Sequence, residues 1–135
     1  MLEILPGPDH VAAYKLSGTL TGEDYDRIIA DIEARLARHK KIGALVDLTG
    51  FSDITAEAAR KDIGYGLRKI WQLDRFPREA LITDREWMRL IARTASALLP
   101  FVEIRSYAPG EAAAAMKWVA AIEVGEDEKP GVVMG

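Results

Sequence analysis

The sequence predicts an α/β protein: a single mixed, mostly parallel sheet with an antiparallel first edge strand and four packing helices. Three observations predict it. The stretch Ile42 to Asp47 is nearly continuously apolar rather than strictly alternating, as expected of a parallel strand covered by helices on both faces. Short apolar runs then alternate with stretches of helical period, in the order strand, strand, helix, strand, helix, strand, helix, strand, helix, which implies parallel pairing and right-handed crossovers. Finally, Thr21-Gly22-Glu23-Asp24 and Thr83-Asp84-Arg85-Glu86 have the form of capping boxes and announce two helix starts.

Taken in order, Leu2 to Leu5 reads as a short strand, stopped by the turn cluster Pro6-Gly7-Pro8-Asp9. Val11 to Leu16 returns antiparallel to it, and Ser17-Gly18-Thr19 is expected to break that strand. The first helix places Tyr25, Ile28, Ile29, Ile32 and Leu36 on one stripe and ends at the cations His39-Lys40-Lys41. The central strand ends at Asp47, followed by an expected loop from Thr49 to Thr55. Ala56 to Gln72 reads as a helix with Ala59, Ile63, Leu67, Ile70 and Trp71 on its inward face. Gly64 and Gly66 within it suggest a bend or a close backbone approach. Ala80-Leu81-Ile82 is a strand, and the helix after it turns Met88, Ile91, Ala92, Ala95, Leu98 and Leu99 inward before Pro100. Val102 to Tyr107 is the last strand, and Pro109 precedes an alanine-rich helix from Glu111 to Ala121. One domain is expected over residues 1–122, with residues 123–135 as a mobile tail.

Composition narrows the functions. The chain has 135 residues, a length for one domain with a core of its own. A net charge of −3 with interspersed signs and no basic block argues against nucleic acid. The absence of cysteine excludes disulfides, thiolate metal sites and a cysteine nucleophile. No run approaches the length of a membrane span, and the start has no signal-peptide pattern, so a cytoplasmic protein is expected. No phosphate loop or nucleophile elbow is present, no cofactor is implied, and His10 and His39 lie far apart in sequence, so no metal site is expected. Trp71, Trp87 and Trp118 are expected at the core or its edge.

The residues that could carry chemistry gather at the carboxyl ends of the strands, where open α/β sheets place their sites. Asp47 there is a candidate phospho-acceptor, metal ligand or base; the alternative is that it accepts N–H bonds from the Thr49-Gly50 turn. Asp47 and Thr83 imitate the acid and hydroxyl of response-regulator receivers, but the receiver's acidic pair and lysine are replaced by Pro6-Gly7-Pro8 and Tyr107-Ala108-Pro109, which removes that reading. Ser52, Asp53 and Thr55 precede the second helix, where Thr55 serves as a cap or as a candidate phospho-acceptor. Thr49, Thr83, Asp84 and Tyr107 complete the candidate binding edge.

The pieces Val46-Asp47-Leu48-Thr49-Gly50-Phe51, Asp62-Ile63-Gly64-Tyr65-Gly66-Leu67, Ala80-Leu81-Ile82-Thr83-Asp84 with Trp87, Val102-Glu103-Ile104-Arg105-Ser106-Tyr107 and Lys117-Trp118-Val119 resemble, in order and spacing, the SpoIIAA-like proteins. These are small bacterial domains similar in fold to STAS anti-sigma-factor antagonists. The resemblance implies a non-enzymatic interaction or regulatory module that binds a partner protein. In STAS antagonists a serine at the start of the helix after the central strand is phosphorylated, within an Asp-Ser-Ser-Gly-like sequence. Here Asp53-Ile54-Thr55-Ala56 stands in that place, with Thr55 as the hydroxyl but without the second serine and the glycine. The alternative is a carrier or sensor of a small apolar or lipid ligand, similar to CRAL-TRIO domains. Those are longer, and this chain leaves little length for a comparable pocket. A homodimer is a further expectation, from the helix-rich surface and the weakly charged edge strand.

Overall fold

The structure, a computed structural model, describes residues 1–122; the expected mobile tail lies outside the described residues. Five strands form one sheet in the order β1-β2-β3-β4-β5. They are β1 (Leu2–Ile4), β2 (Val11–Leu20), β3 (Gly43–Ile54), β4 (Arg78–Ile82) and β5 (Glu103–Tyr107). β1 runs antiparallel to β2, and every other pair is parallel. Four α-helices connect and cover them: α1 (Gly22–Arg38), α2 (Ala56–Arg68), α3 (Glu86–Leu98) and α4 (Ala112–Ala120). The expected single mixed sheet with four packing helices is therefore present.

Period-2 alternation along the strands makes two cores. Ala12, Tyr14 and Leu16 of β2 pack with Ile28 and Leu36 of α1 and Ala58 of α2. Val11, Ala13, Leu45, Ala80 and Ile82 pack with Ala115 and Val119 of α4 on the opposite face. α4 lies close to the sheet: a Cβ on Gly43 would stand 2.5 Å from the Val119 carbonyl oxygen. Glycine is required here by proximity, since any side chain would drive α4 away.

Several expectations are corrected. β2 does not stop at Ser17-Gly18-Thr19, and β3 does not end at Asp47; both continue as a paired ribbon, with Ser17 opposite Gly50 and Leu20 opposite Ile54. The expected loop from Thr49 to Thr55 is thus mostly strand. Two register shifts each give β3 one extra residue, and Gly18 takes a φ of 65°. Bulges of this kind hide a long strand from pattern reading because they interrupt alternation. The second capping box does not form: α3 starts at Glu86 with Arg85 at its N-cap, and Thr83 Oγ1 instead accepts from the Arg85 N–H at 3.1 Å. The first one does form, around Thr21 and Asp24.

The larger correction concerns faces. Ile63, Leu67, Ile70 and Trp71 point outward, Trp71 with 90% exposure, and so do Ile91, Trp87 and Leu98. On α2 the buried residues are Ala58 and Tyr65, while the exposed Asp62 and Gly66 and the C-cap Lys69 line the open space beside the sheet. Ile70 and Trp71 belong to a separate 3-10 turn, Ile70–Arg75, rather than to the helix. Nothing lies within 4 Å of a Cβ built on Gly64 or Gly66, so neither marks a close approach.

A cavity between the sheet and the first two helices as the candidate functional site

The cavity-lining side of α2 is polar and is held to α1 through tyrosine-carboxylate bonds, and α1 is held in turn to the sheet. Tyr14 on β2 donates to Asp31 of α1 at 2.6 Å, and Arg35 Nε donates to the same oxygen at 2.8 Å. Tyr25 of α1 donates to Asp62 of α2. Tyr65 of α2 donates to Glu33 of α1 at 2.6 Å, and Lys69 pairs with Glu33 at 2.7 Å. Burial and the neighbouring carboxylates push all three phenols well above their usual range. The Lys69 and Tyr65 bonds hold Glu33 below the usual carboxylate range. Charge-assisted bonds of this type are stronger than neutral ones.

These bonds hold α1 and α2 over the sheet without closing the space beneath them. A cavity of about 470 Å³ remains, open to the surface. That is a volume typical of small-molecule sites, which run from about 300 to 1,000 Å³. Its floor is Tyr14, Val46 and Leu81 of the strands, and its end wall is Leu48, Phe51 and Ile54 of the β3 extension. Tyr25, Ile28 and Ile32 of α1 and Tyr65 of α2 roof it. The extension that reads as a loop in the sequence is thus a wall of the cavity. The space lies between the helices and the sheet and needs no added chain.

One carboxyl group stands out in this cavity. Glu79 is the second residue of β4, in register with Ala44 and Ile104. It lines the cavity, and no hydrogen bond or ion pair reaches its side chain among the described residues. Burial, with a smaller contribution from the Asp62 charge, pushes its pKa up to about 6. The sequence reading missed Glu79. Its signal was an acid directly before the apolar run Ala80-Leu81-Ile82, since the alternation that buries Ala80 and Ile82 against α4 must turn Glu79 and Leu81 the other way.

The residues expected at the carboxyl edge are only partly brought together. Asp47 lies mid-strand, and its Oδ1 accepts from the Thr49 N–H at 2.9 Å and the Thr49 hydroxyl at 2.6 Å. Thr55 caps α2, accepting from the Ala58 N–H at 3.1 Å. Thr83 is fully buried and donates to Met88 Sδ at 3.2 Å. Ser52, Asp53 and Asp84 are exposed, with Asp53 accepting from the Ile54 N–H at 2.8 Å. Tyr107 packs on Trp118 with ring centroids 6.2 Å apart, and Arg78 and Arg105 flank that indole. Trp118 is therefore at the core edge as expected, while Trp71 and Trp87 are on the surface.

A second concavity of about 520 Å³ lies between Arg89, Arg93 and Ser96 of α3 and Ile104 and Ser106 of β5. Arg89 there donates to the Thr83 carbonyl. The two histidines, distant in sequence, meet with ring centroids 6.2 Å apart; His10 contacts the Ala120 carbonyl and His39 contacts Asp9. No group of three or more metal-ligating side chains gathers among the described residues. No helix among them is long and apolar enough to cross a membrane.

None of the curated proteins matches the chain significantly. Among solved structures it is similar to an uncharacterised protein of the DUF3478 family with a SpoIIAA-like fold from Shewanella loihica PV-4. That likeness has a TM-score of 0.69 at 29% identity and covers 88% of this chain and 92% of the other. The SpoIIAA-like family model matches residues 11–120, from the first parallel strand to the end of α4. The chain belongs to the SpoIIAA-like family.

Proposed function

We propose that the protein is a non-enzymatic, STAS-like cytoplasmic module that holds a small apolar ligand between its sheet and α1/α2, as a carrier or a sensor. One observation carries this reading: the cavity of about 470 Å³ whose floor and roof are aliphatic and aromatic. Apolar surface left open within a core loses dispersion contacts and hydrophobic burial, and a ligand restores both. Native mass spectrometry of gently purified protein is the test. The expected result is an added mass of lipid size, and a rise in melting temperature when the stripped protein is given a neutral long-chain alcohol. A protein that carries no added mass and whose melting temperature no such alcohol changes would remove this reading.

A partner-protein contact is the second reading, favoured by the outward apolar residues Ile63, Leu67 and Trp71 on and after α2. Large exposed apolar residues that cluster on one surface mark interaction sites. Ile63 and Leu67 lie on the helix whose start is capped by Thr55, Ile63 about two turns further on, and a phosphate on Thr55 would add charge at that helix end. In this reading the ligand in the cavity and the partner on α2 act on opposite faces of one helix. Light scattering separates a foreign partner from a second copy of the chain: a homodimer that is lost in Trp71→Ser would assign the patch to self-association.

A further inference from the structure

This inference rests on the cavity being a ligand site and concerns the polar end of that ligand. Each of the other carboxylates around the cavity already has a donor: Asp31 takes Tyr14 and Arg35, Asp62 takes Tyr25, and Glu33 takes Tyr65 and Lys69. The cation on the wall, Lys69, is committed to Glu33 at 2.7 Å. Among the described residues Glu79 alone of these acids lacks a hydrogen-bond or ion-pair partner; it is half-buried, lines the open cavity and stands in register with the small side chain of Ala44. An acid left in such a place weakens the fold unless something donates to it. A ligand carboxylate would meet this acid with no free cation beside it.

We propose that the cavity takes an apolar chain ending in a protonated amine, with Glu79 as its counter-ion, and turns away alkyl carboxylates. An ammonium group supplies the missing donors and a charge of the right sign, while the alkyl chain lies along Val46, Leu48 and Phe51. A hydroxyl end supplies a donor without the charge and binds at intermediate strength. Neutral pH lies above the Glu79 pKa of about 6, so the acid is mostly ionised there and able to act as the counter-ion.

The test is displacement of the neutral probe Nile red by decylamine, decanol and decanoate at neutral pH and below their micellar ranges. Decylamine should bind at least roughly tenfold more tightly than decanoate, the factor that about 1.4 kcal/mol of charge-assisted bonding supplies. Glu79→Gln keeps the shape and removes the charge. It should cost decylamine at least roughly tenfold while leaving decanol within a factor of about three. Glu79→Leu, a second variant, should bind decanol and exclude decylamine. Decanoate binding as well as decylamine, or an amine-to-alcohol ratio unchanged by Glu79→Gln, overturns the head-group assignment while the cavity stands. If none of the three displaces the probe or binds by calorimetry, the cavity reading itself fails.

Discussion

The two faces of the sheet are packed differently although the same strands supply both. On the α4 face the side chains are Val, Ala, Leu and Ile, and α4 approaches until only glycine fits at position 43. On the α1/α2 face the residues are larger and include three tyrosines, yet that face holds the cavity. The difference lies in what sets helix height. Small apolar residues let α4 settle to van der Waals contact. On the other side, tyrosine-carboxylate bonds between α1, α2 and the sheet fix the spacing, and side-chain volume does not fill what they span. Packing is closed where the apolar effect alone decides distance, and stays open where directional bonds decide it.

The sharpest way to break this comparison uses neighbours on β3. Leu45 is buried against α4, whereas Val46 faces the cavity. Leu45→Asp should cost more than about 4 kcal/mol and abolish folding, since it removes a core side chain and buries an unpaired charge. Val46→Asp should cost clearly less, because Val46 is half-buried beside the open cavity and its carboxylate is only partly withdrawn from water, while losing ligand binding. Urea unfolding of the two variants checks this, and equal losses would mean that the cavity is closed to water. Next in size is Gly43→Ala, expected to cost about 1–3 kcal/mol by overpacking against the Val119 carbonyl. A melting temperature equal to the parent's would show that α4 is not held at that height.

Glu79 sharpens the comparison through pH. Its folded pKa of about 6 lies above the ordinary 4.5, so the folded state disfavours the charged form. The resulting penalty is absent well below pH 4.5, grows as pH rises through the window from 4.5 to about 6, and is complete above it. Glu79→Gln should therefore stabilise the ligand-free protein at neutral pH by up to about 2 kcal/mol, a gain that vanishes well below pH 4.5. Denaturant titrations at the two pH values check it, and an equal gain at both would assign the effect to packing instead of charge. The smallest expected effect is at Thr55, where Thr55→Ala should cost about 1 kcal/mol by loss of the α2 cap. Thr55→Glu should change partner binding beyond what that loss explains if the α2 surface is regulated, and a pull-down with both variants decides it.

The faces of α2 show how far the sequence reading reaches. Its period was legible, and so was its start at Thr55. Which stripe turns inward was not, because periodicity locates stripes and does not say what lies opposite them. Periodicity alone turns the apolar stripe containing Ile63 and Leu67 inward, whereas in the structure it is exposed and Asp62, Tyr65 and Lys69 line the cavity. Their partners Tyr25 and Glu33 sit on a helix more than 25 residues earlier, at a distance in sequence that no local pattern bridges. The candidate edge met a similar limit. Asp47, Thr49 and Thr55 were legible as turn and cap residues, and they form those local bonds. The wall made by Leu48, Phe51 and Ile54 was hidden by the register shifts of β3.

The sequence by itself determined what depends on neighbours along the chain: the strand and helix order, the capping box at Thr21, the antiparallel first strand and the order of pieces shared with SpoIIAA-like proteins. Local propensity and hydrogen bonding a few residues apart are enough for these. Only the tertiary structure decided that α4 rests against Gly43, that α1 and α2 are held off the sheet, and that Glu79 faces a mainly apolar space without a partner among the described residues. Those features are set by distances between elements, and such distances follow from bonds and volumes contributed by residues far apart in the chain.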